Sequence, residues 1–503
     1  MKPVLLLPAA LLLATAAFAA VGPDYHRPAI ASPVAWKQAA PAGTLPRGDW
    51  WKLFDDATLD QLEERALGAN QNLQAAAARV EQARAVAGIA RGSYLPSVAF
   101  NPSLNRARTS ETTDNRFPVA ETTTFRASLD ASWELDLFGR VRRLNESARA
   151  DAAASAAEFE HVRLALTAEV AANYFTLRAV DRELALVNDG VGLRRKALDL
   201  TSSRRSNGAA TDFDLARAEA ELAATEAEAA ALANRRAAVQ NALAVLVGED
   251  APSFKIAIDA GGPASLRAGI GASARTEAGP PAIPAGLPSE LLERRPDIAA
   301  AESALASANA RIGVAKAAFF PAISLTGSFG YASGDIDRLT NADSKLWSIG
   351  PSLYLPIFQG GRNRANLARS RAAWEESVAL FRGRLLVAFR EVQDALTATQ
   401  LLADQAAAQE RAVVAARRAG DLARTRYEAG YVNYFEVLDA QRTVLGAERA
   451  ATQLTAQRLV NSVSLIKALG GGWHAEDRDQ GTADRGGKAE AGAAAAQPTL
   501  AAN

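Results

Sequence analysis

Phe125-Arg126-Ala127-Ser128-Leu129-Asp130-Ala131-Ser132-Trp133-Glu134-Leu135-Asp136-Leu137, followed by Phe138-Gly139-Arg140, is the stretch that decides the fold. Every odd position from 125 to 137 is apolar, and every even position between them is polar or charged. A period of two over that length specifies a β-strand with one apolar face and one wet face. Arg126, Asp130, Glu134 and Asp136 lie on the wet face, which must meet water or charged partners. Alternation over roughly 10 residues also fits a tilted membrane-spanning strand. The alternative is a half-exposed strand of a soluble sandwich, and the rest of the chain decides between them.

The chain has 503 residues, enough for two or three ordinary domains or one long architecture. Its 56 basic residues balance 56 acidic ones, so nothing points to a nucleic-acid partner. Cysteine is absent, which excludes disulfides, thiol nucleophiles, Cys-metal sites and a lipid carried on an N-terminal Cys. Histidine occurs only as His26, His161 and His474, with no metal-binding cluster. Met1 to Ala19 reads as a secretory signal: Lys2, an apolar run from Val4 to Leu13, and the cleavage pattern Ala17-Phe18-Ala19. No later segment reaches about 18 consecutive apolar residues, so an exported chain seated in a membrane must be a barrel.

Residues 20–57 are Pro-rich and extended until Trp50-Trp51 and Phe54, where a helical pattern opens and runs to Arg91. A first repeat, 58–248, holds that helix, a hairpin at 97–137 with a polar tip, and two long helices. The first of these runs to Arg204, eased at Asn188 to Gly192, and at about 1.5 Å per residue measures about 100 Å. A Gly-, Ala- and Pro-rich insert follows at 249–288. The second repeat, 289–470, restates the first: a helix to Ala318, a hairpin at 322–357, and two more long helices. Arg140 and Arg362 lie 222 residues apart, as do Gly208 and Gly430, Phe213 and Phe435, and Gly248 and Gly470. Four markers in one register indicate an internal duplication. Residues 471–503 read as a low-complexity, disordered tail.

The expected fold is therefore α+β, with four membrane-length strands per chain. Four strands cannot close a barrel, and an open edge is not tolerated in lipid. Two chains would reach about 8 strands with a filled lumen, and three would give 12 with a wet one. The trimer is favoured if the lumen is open. The helices would then continue the barrel as a coiled-coil tube.

Several stretches carry a family likeness: Val21-Gly22-Pro23-Asp24-Tyr25-His26-Arg27-Pro28; Trp50-Trp51 with Phe54; Ser132 to Arg140; Gly286-Leu287-Pro288-Ser289 with Leu291-Leu292 and Arg294-Arg295-Pro296-Asp297-Ile298; and Arg426-Tyr427, Gly430 and Val437 to Arg442. On these residues the chain resembles the outer-membrane efflux ducts, the TolC/OprM-like exit channels of tripartite pumps. The resemblance implies a homotrimer with a 12-stranded barrel, a long α-helical tunnel and an equatorial collar. Implied partners are a periplasmic adaptor, an inner-membrane pump of the resistance-nodulation-division type, and outer membrane lipid. Relatives of the OprM-like branch carry a lipidated Cys before the Val-Gly-Pro-Asp-Tyr stretch. Here Ala19 or Ala20 stands there, so no lipid anchor is expected.

Glu436 and Asp439 share one helix face and would place carboxylate rings at the periplasmic mouth, an aperture the resemblance also implies. A solvated face is the competing reading. In related ducts a Tyr of the inner hairpin bonds an acid on a neighbouring helix. Tyr427 and Asp214 are the candidates here, against an ordinary surface Tyr, and Val432 stands where some relatives have a further Arg. Gly208 and Gly430 mark the helical tips, implied adaptor contacts and also simple helix C-caps. Trp133, Phe329, Tyr331 and Trp347 suit a membrane-facing girdle or a sandwich core.

No nucleophile, general base, metal cluster or phosphate-cradling loop emerges, so neither an enzyme nor a cofactor is expected. The leading expectation is a passive exit duct for drugs or other small solutes, opened by its partners. Its competitors are an exit duct for type I protein secretion and a soluble periplasmic coiled-coil scaffold.

Overall fold

The computed structural model describes residues 20–29, 33–38, 48–110, 121–258 and 280–473. The expected signal peptide, most of the insert, the tip of the first hairpin and nearly all of the tail lie outside these residues. The chain forms two compact units. One comprises Met1–Ala29, Arg79–Ala156 and Ala300–Arg382, and the other Ile30–Ala78, Ala157–Ala299 and Gly383–Asn503.

The first unit carries the sheet. Strands β1 (Ser97–Arg108), β2 (Glu121–Leu135), β3 (Ala322–Ser333) and β4 (Lys345–Tyr354) pair antiparallel in the order β1-β2-β3-β4. Leu104 opposes Phe125, Leu129 lies between Phe100 and Phe329, and Phe329 opposes Trp347. The register thus collects the apolar residues of all four strands on one face, as the alternation in β2 requires. Gly330 permits the β2–β3 approach, because a Cβ there would strike the Ala127 carbonyl.

Below the sheet, the same unit holds the end of α2 (Gln71–Gly92), the start of α3 (Arg140–Ser206), most of α5 (Pro296–Ala317) and the start of α6 (Arg362–Glu428). Buried Asn145 on α3 donates to the Ala90 carbonyl of α2 at 2.8 Å, and Ser147 meets Ser307 of α5 at 2.9 Å. Residues 20–29 lie across α3 and α5. Gly22 abuts Gly313, so closely that a Cβ at Gly22 would lie 2.5 Å from the Gly313 Cα. Arg143 donates to Asp24 at 2.6 Å, and Arg27 pairs bidentately with Glu302. The Val-Gly-Pro-Asp-Tyr stretch is therefore a packed strap. Burial, reinforced by the charge of Glu302, pushes the Tyr25 hydroxyl up to about 12.

The second unit is helical, containing α1 (Ala57–Ala69), α4 (Asp212–Leu246), α7 (Tyr434–Ala468) and the remaining parts of α2, α3, α5 and α6. Trp50, Trp51 and Phe54 are the buried side chains of a short 3₁₀ turn, Trp50–Phe54. Phe54 packs on Phe175 with ring centroids 4.9 Å apart. Asp56 caps α1 and accepts from the Tyr174 hydroxyl at 2.6 Å.

The duplication reappears in the elements. Helices α3 and α6 each have 67 residues, and α4 and α7 each have 35. Their first residues, Arg140 with Arg362 and Asp212 with Tyr434, keep the 222-residue offset of the sequence markers. Gly208 and Gly430 hold φ of 74° and 79°, and Gly248 and Gly470 hold 74° and 89°. Glycine alone adopts this region without strain, so each pair ends a helix at the same place in its copy.

Three local expectations need correction. The pattern from Trp50 to Arg91 is not one helix: it breaks at Asp55 and again at Asn70. Asn70 takes an extended ψ of 123°; its side chain accepts from the Leu73 amide at 3.0 Å and donates to the Leu246 carbonyl at 2.9 Å. The helix to Ala318 is interrupted at Arg295, whose extended backbone is the conformation that Pro296 favours. Conversely, α3 shows no easing at Asn188 to Gly192 and runs unbroken.

Candidate functional site

On the sheet's polar face, Asp130 accepts hydrogen bonds from Ser328 at 2.6 Å, Asn101 at 2.7 Å and Ser128 at 3.2 Å. Arg126 reaches Ser328 at 3.1 Å. Three strands thus hold one carboxylate in place on a wet surface of hydroxyls, amides and small residues. The alternation in β2 located Asp130 and Arg126; cross-strand Asn101 and Ser328 needed the register, which one strand does not contain. On the opposite face Trp133, Phe329 and Trp347 are 37, 47 and 73% exposed, and Tyr331 is half-buried. Trp133 donates its indole N–H to the Tyr94 carbonyl at 2.9 Å. An apolar ring whose polar edge is satisfied suits a membrane–water boundary.

The helical tips belong to the second unit. At the α3–α4 turn the Gly208 and Ala209 amides donate to the Arg205 and Arg204 carbonyls at 3.0 and 2.8 Å. At the α6–α7 turn Gly430 and Tyr431 donate to Tyr427 and Arg426 at 3.0 and 2.9 Å. The two closures share one geometry, and among the described residues, chain neighbours aside, no atom lies within 4 Å of where a Cβ on either glycine would stand. Both tips are open to contact.

Asp214 and Tyr427 are not joined within the chain. Asp214 is the N3 residue of a capping box, accepting from the Thr211 amide at 2.9 Å and hydroxyl at 2.7 Å. Those bonds hold its carboxyl below the usual range. The Tyr427 ring packs edge-on against Tyr434 at 5.5 Å, beneath the Arg204 guanidinium at 5.4 Å. The Tyr427 hydroxyl oxygen is buried without a hydrogen-bond partner among the described residues. The spacing of turn, Tyr and acid does not reveal that helix capping has already taken the acid.

Glu436 and Asp439 lie on one exposed face of α7, flanking the buried pair Val437 and Leu438. Asn433 caps this helix by accepting from the Phe435 and Glu436 amides at 3.0 and 3.3 Å. The helix is tied to its neighbours by ion pairs that the sequence reading missed. Arg442 pairs with Glu221, and Arg449 with Glu228 and Glu183. Both α7–α4 pairs span 221 residues, so each arginine meets the glutamate one position beyond its own repeat equivalent. That near-constant offset was the available signal. Among the described residues no group of three or more His, Cys, Asp or Glu could hold a metal.

A family model described as Outer membrane efflux protein matches residues 62–249 and 287–471, one span per repeat. Outer membrane protein OprJ of Pseudomonas aeruginosa is 36% identical over 477 residues, covering 94% of this chain and 97% of OprJ. Cation efflux system protein CusC of Escherichia coli O6:H1 is 32% identical, covering 94% of this chain and all of CusC. Among solved structures, the open state of the Neisseria gonorrhoeae MtrE outer membrane channel superposes with a TM-score of 0.78 at 32% identity, covering 91% of this chain and 99% of that one. The four-stranded sheet, the paired long helices and these likenesses converge: the chain belongs to the outer membrane efflux protein family.

Proposed function

We propose that this chain is the passive exit duct of a tripartite efflux system, and that three copies close a 12-stranded barrel continued by the helices. The observation that carries this reading is the sheet. It is apolar on one face and polar on the other, and among the described residues β1 and β4 pair on one side only. Such edges are not tolerated in a bilayer, and no described helix is long and apolar enough to cross one. A second copy placing β1 beside β4 satisfies both edges, and repetition closes the ring. The polar face carrying Asp130 then lines a wet lumen, and Trp133, Phe329, Tyr331 and Trp347 face lipid.

The repeats 58–248 and 289–470 each supply one hairpin and one helical pair to this ring. In the trimer Glu436 and Asp439 form two carboxylate rings at the periplasmic mouth, which favour cations. Gly208 and Gly430 present the tips to the adaptor, and the pump behind it is of the resistance-nodulation-division type. With Asp214 engaged in its cap, a Tyr427–Asp214 latch forms only where the Thr211 bonds to Asp214 open. The duct needs no cofactor and performs no catalysis. Planar-bilayer recording tests the aperture: replacing both Glu436 and Asp439 with Ala should raise conductance and weaken cation preference. Unchanged traces would remove the two acids from the gate, and no channel events from the parent protein would remove the duct itself.

A further inference from the structure

The sheet's apolar face ends differently from its polar face. On β1 the even positions share the lipid-side row with Phe125, Leu129 and Trp133 of β2. That row passes through Val98, Phe100 and Leu104 and finishes at Arg106 and Arg108. On β4 the same row runs from Leu353 through Ile349 and Trp347 and finishes at Lys345, the strand's first residue. The polar face at the tip end of β1 and β2 bears Asn105, Ala107, Thr122 and Thr124, none of them charged. The cations therefore cap the greasy row specifically. Arg106 and Arg108 have side chains 73 and 69% exposed, and both pair with Glu121, at 2.9 and 3.8 Å. Lys345 is exposed, with its ammonium 5.3 Å from the Phe329 ring, and it has no carboxylate partner among the described residues. The acids Asp335, Asp337 and Asp343 lie in the β3–β4 connection, beyond the strand ends.

The strand ends Arg108, Glu121, Ser333 and Lys345 lie opposite those that lead to the long helices, so this rim faces the cell exterior. The outer leaflet there is built from phosphorylated glycolipid. Cations at the end of a lipid-facing row reach the headgroup layer while their stems stay against hydrocarbon. We propose that Arg106, Arg108 and Lys345 bind the phosphates of this outer-leaflet glycolipid. The site rests on the trimer reading, because Arg106 and Arg108 lie on β1 and Lys345 on β4. Only the seam between two copies brings them together.

Native mass spectrometry of the purified full chain in detergent tests this, with bis-phosphorylated lipid A, its dephosphorylated form and phosphatidylglycerol as probes. The parent trimer should retain the bis-phosphorylated form in preference, by about fivefold for each contributing cation. A variant carrying Arg106→Gln, Arg108→Gln and Lys345→Gln should lose that preference while staying trimeric. If the triple variant does not assemble, K345Q and R108Q alone should each reduce the preference by about fivefold. Equal retention of the two lipid A forms by the parent trimer overturns the proposal, as does a preference that survives these substitutions. Phosphatidylglycerol competing as well as the glycolipid overturns the glycolipid assignment. A monomeric parent would instead overturn the trimer reading, which the same spectrum reports separately.

Discussion

Glu63 has no exposed surface, and neither of its carboxylate oxygens has a hydrogen-bond partner among the described residues. Burial, with a smaller contribution from Asp60, pushes its carboxyl well above the usual range. A folded-state value raised above the unfolded one of 4.5 leaves stability intact below that pH and erodes it as pH rises toward the folded value. Glu63→Gln removes the ionisation, so the variant should match the parent near pH 4 and melt at a higher temperature near pH 8. Thermal unfolding followed by helical circular dichroism decides it; a gain of equal size at both pH values would sink the argument. Buried Asp297 has the opposite sign. Burial opposes its charge, but two hydrogen bonds from Arg295, at 3.0 and 2.8 Å, win and hold the carboxyl low. Its contribution is present above 3.8 and fades as pH falls through the depressed value. The Arg-Arg-Pro-Asp stretch is legible as a motif, yet the Arg295 bonds to Glu391 and to the Ala468 carbonyl, at 2.7 and 2.9 Å, needed the packed helices.

Helix α1 and helix α2 meet at Asn70, which does two jobs with one side chain. It caps the incoming helix and satisfies a carbonyl near the end of α4. Asn70→Ala should cost about 1–2 kcal/mol, the usual loss for an N-cap, plus whatever the unpaired Leu246 carbonyl adds. Chemical denaturation of the detergent-solubilised protein measures it, and a neutral result would show the break is fixed elsewhere. At this scale the strands and long helices follow directly from period and length, because each pattern is local. The breaks at Asn70 and Arg295 did not, because apolar positions continue in phase through both. Only the caps and the Pro296 constraint end the helices there.

For the molecule as a whole, the two faces of the sheet make unequal demands. Ile349 lies on the apolar face, opposite Gly327, and Ser348 beside it faces the polar side, opposite Ser328. Ile349→Lys should destabilise the assembled barrel by about 2–4 kcal/mol, the cost of a cation on a lipid face at mid-depth. Ser348→Lys should be tolerated and should shift ion selectivity instead. Heat-modifiable trimer recovered from outer membranes reads the first and bilayer conductance the second. Equal recovery of the two variants would mean that the apolar face is not in lipid.

The sequence alone settled the alternation, the long helices, the duplication at 222 residues and the absence of any Cys to carry a lipid. All of these are written in local periodicity or in counting. The tertiary structure decided the strand register, the burial of Glu63 and the pairing of α7 arginines with α4 glutamates. Each depends on which distant segment arrives opposite a given side chain, and that is fixed by packing free energy summed over the fold.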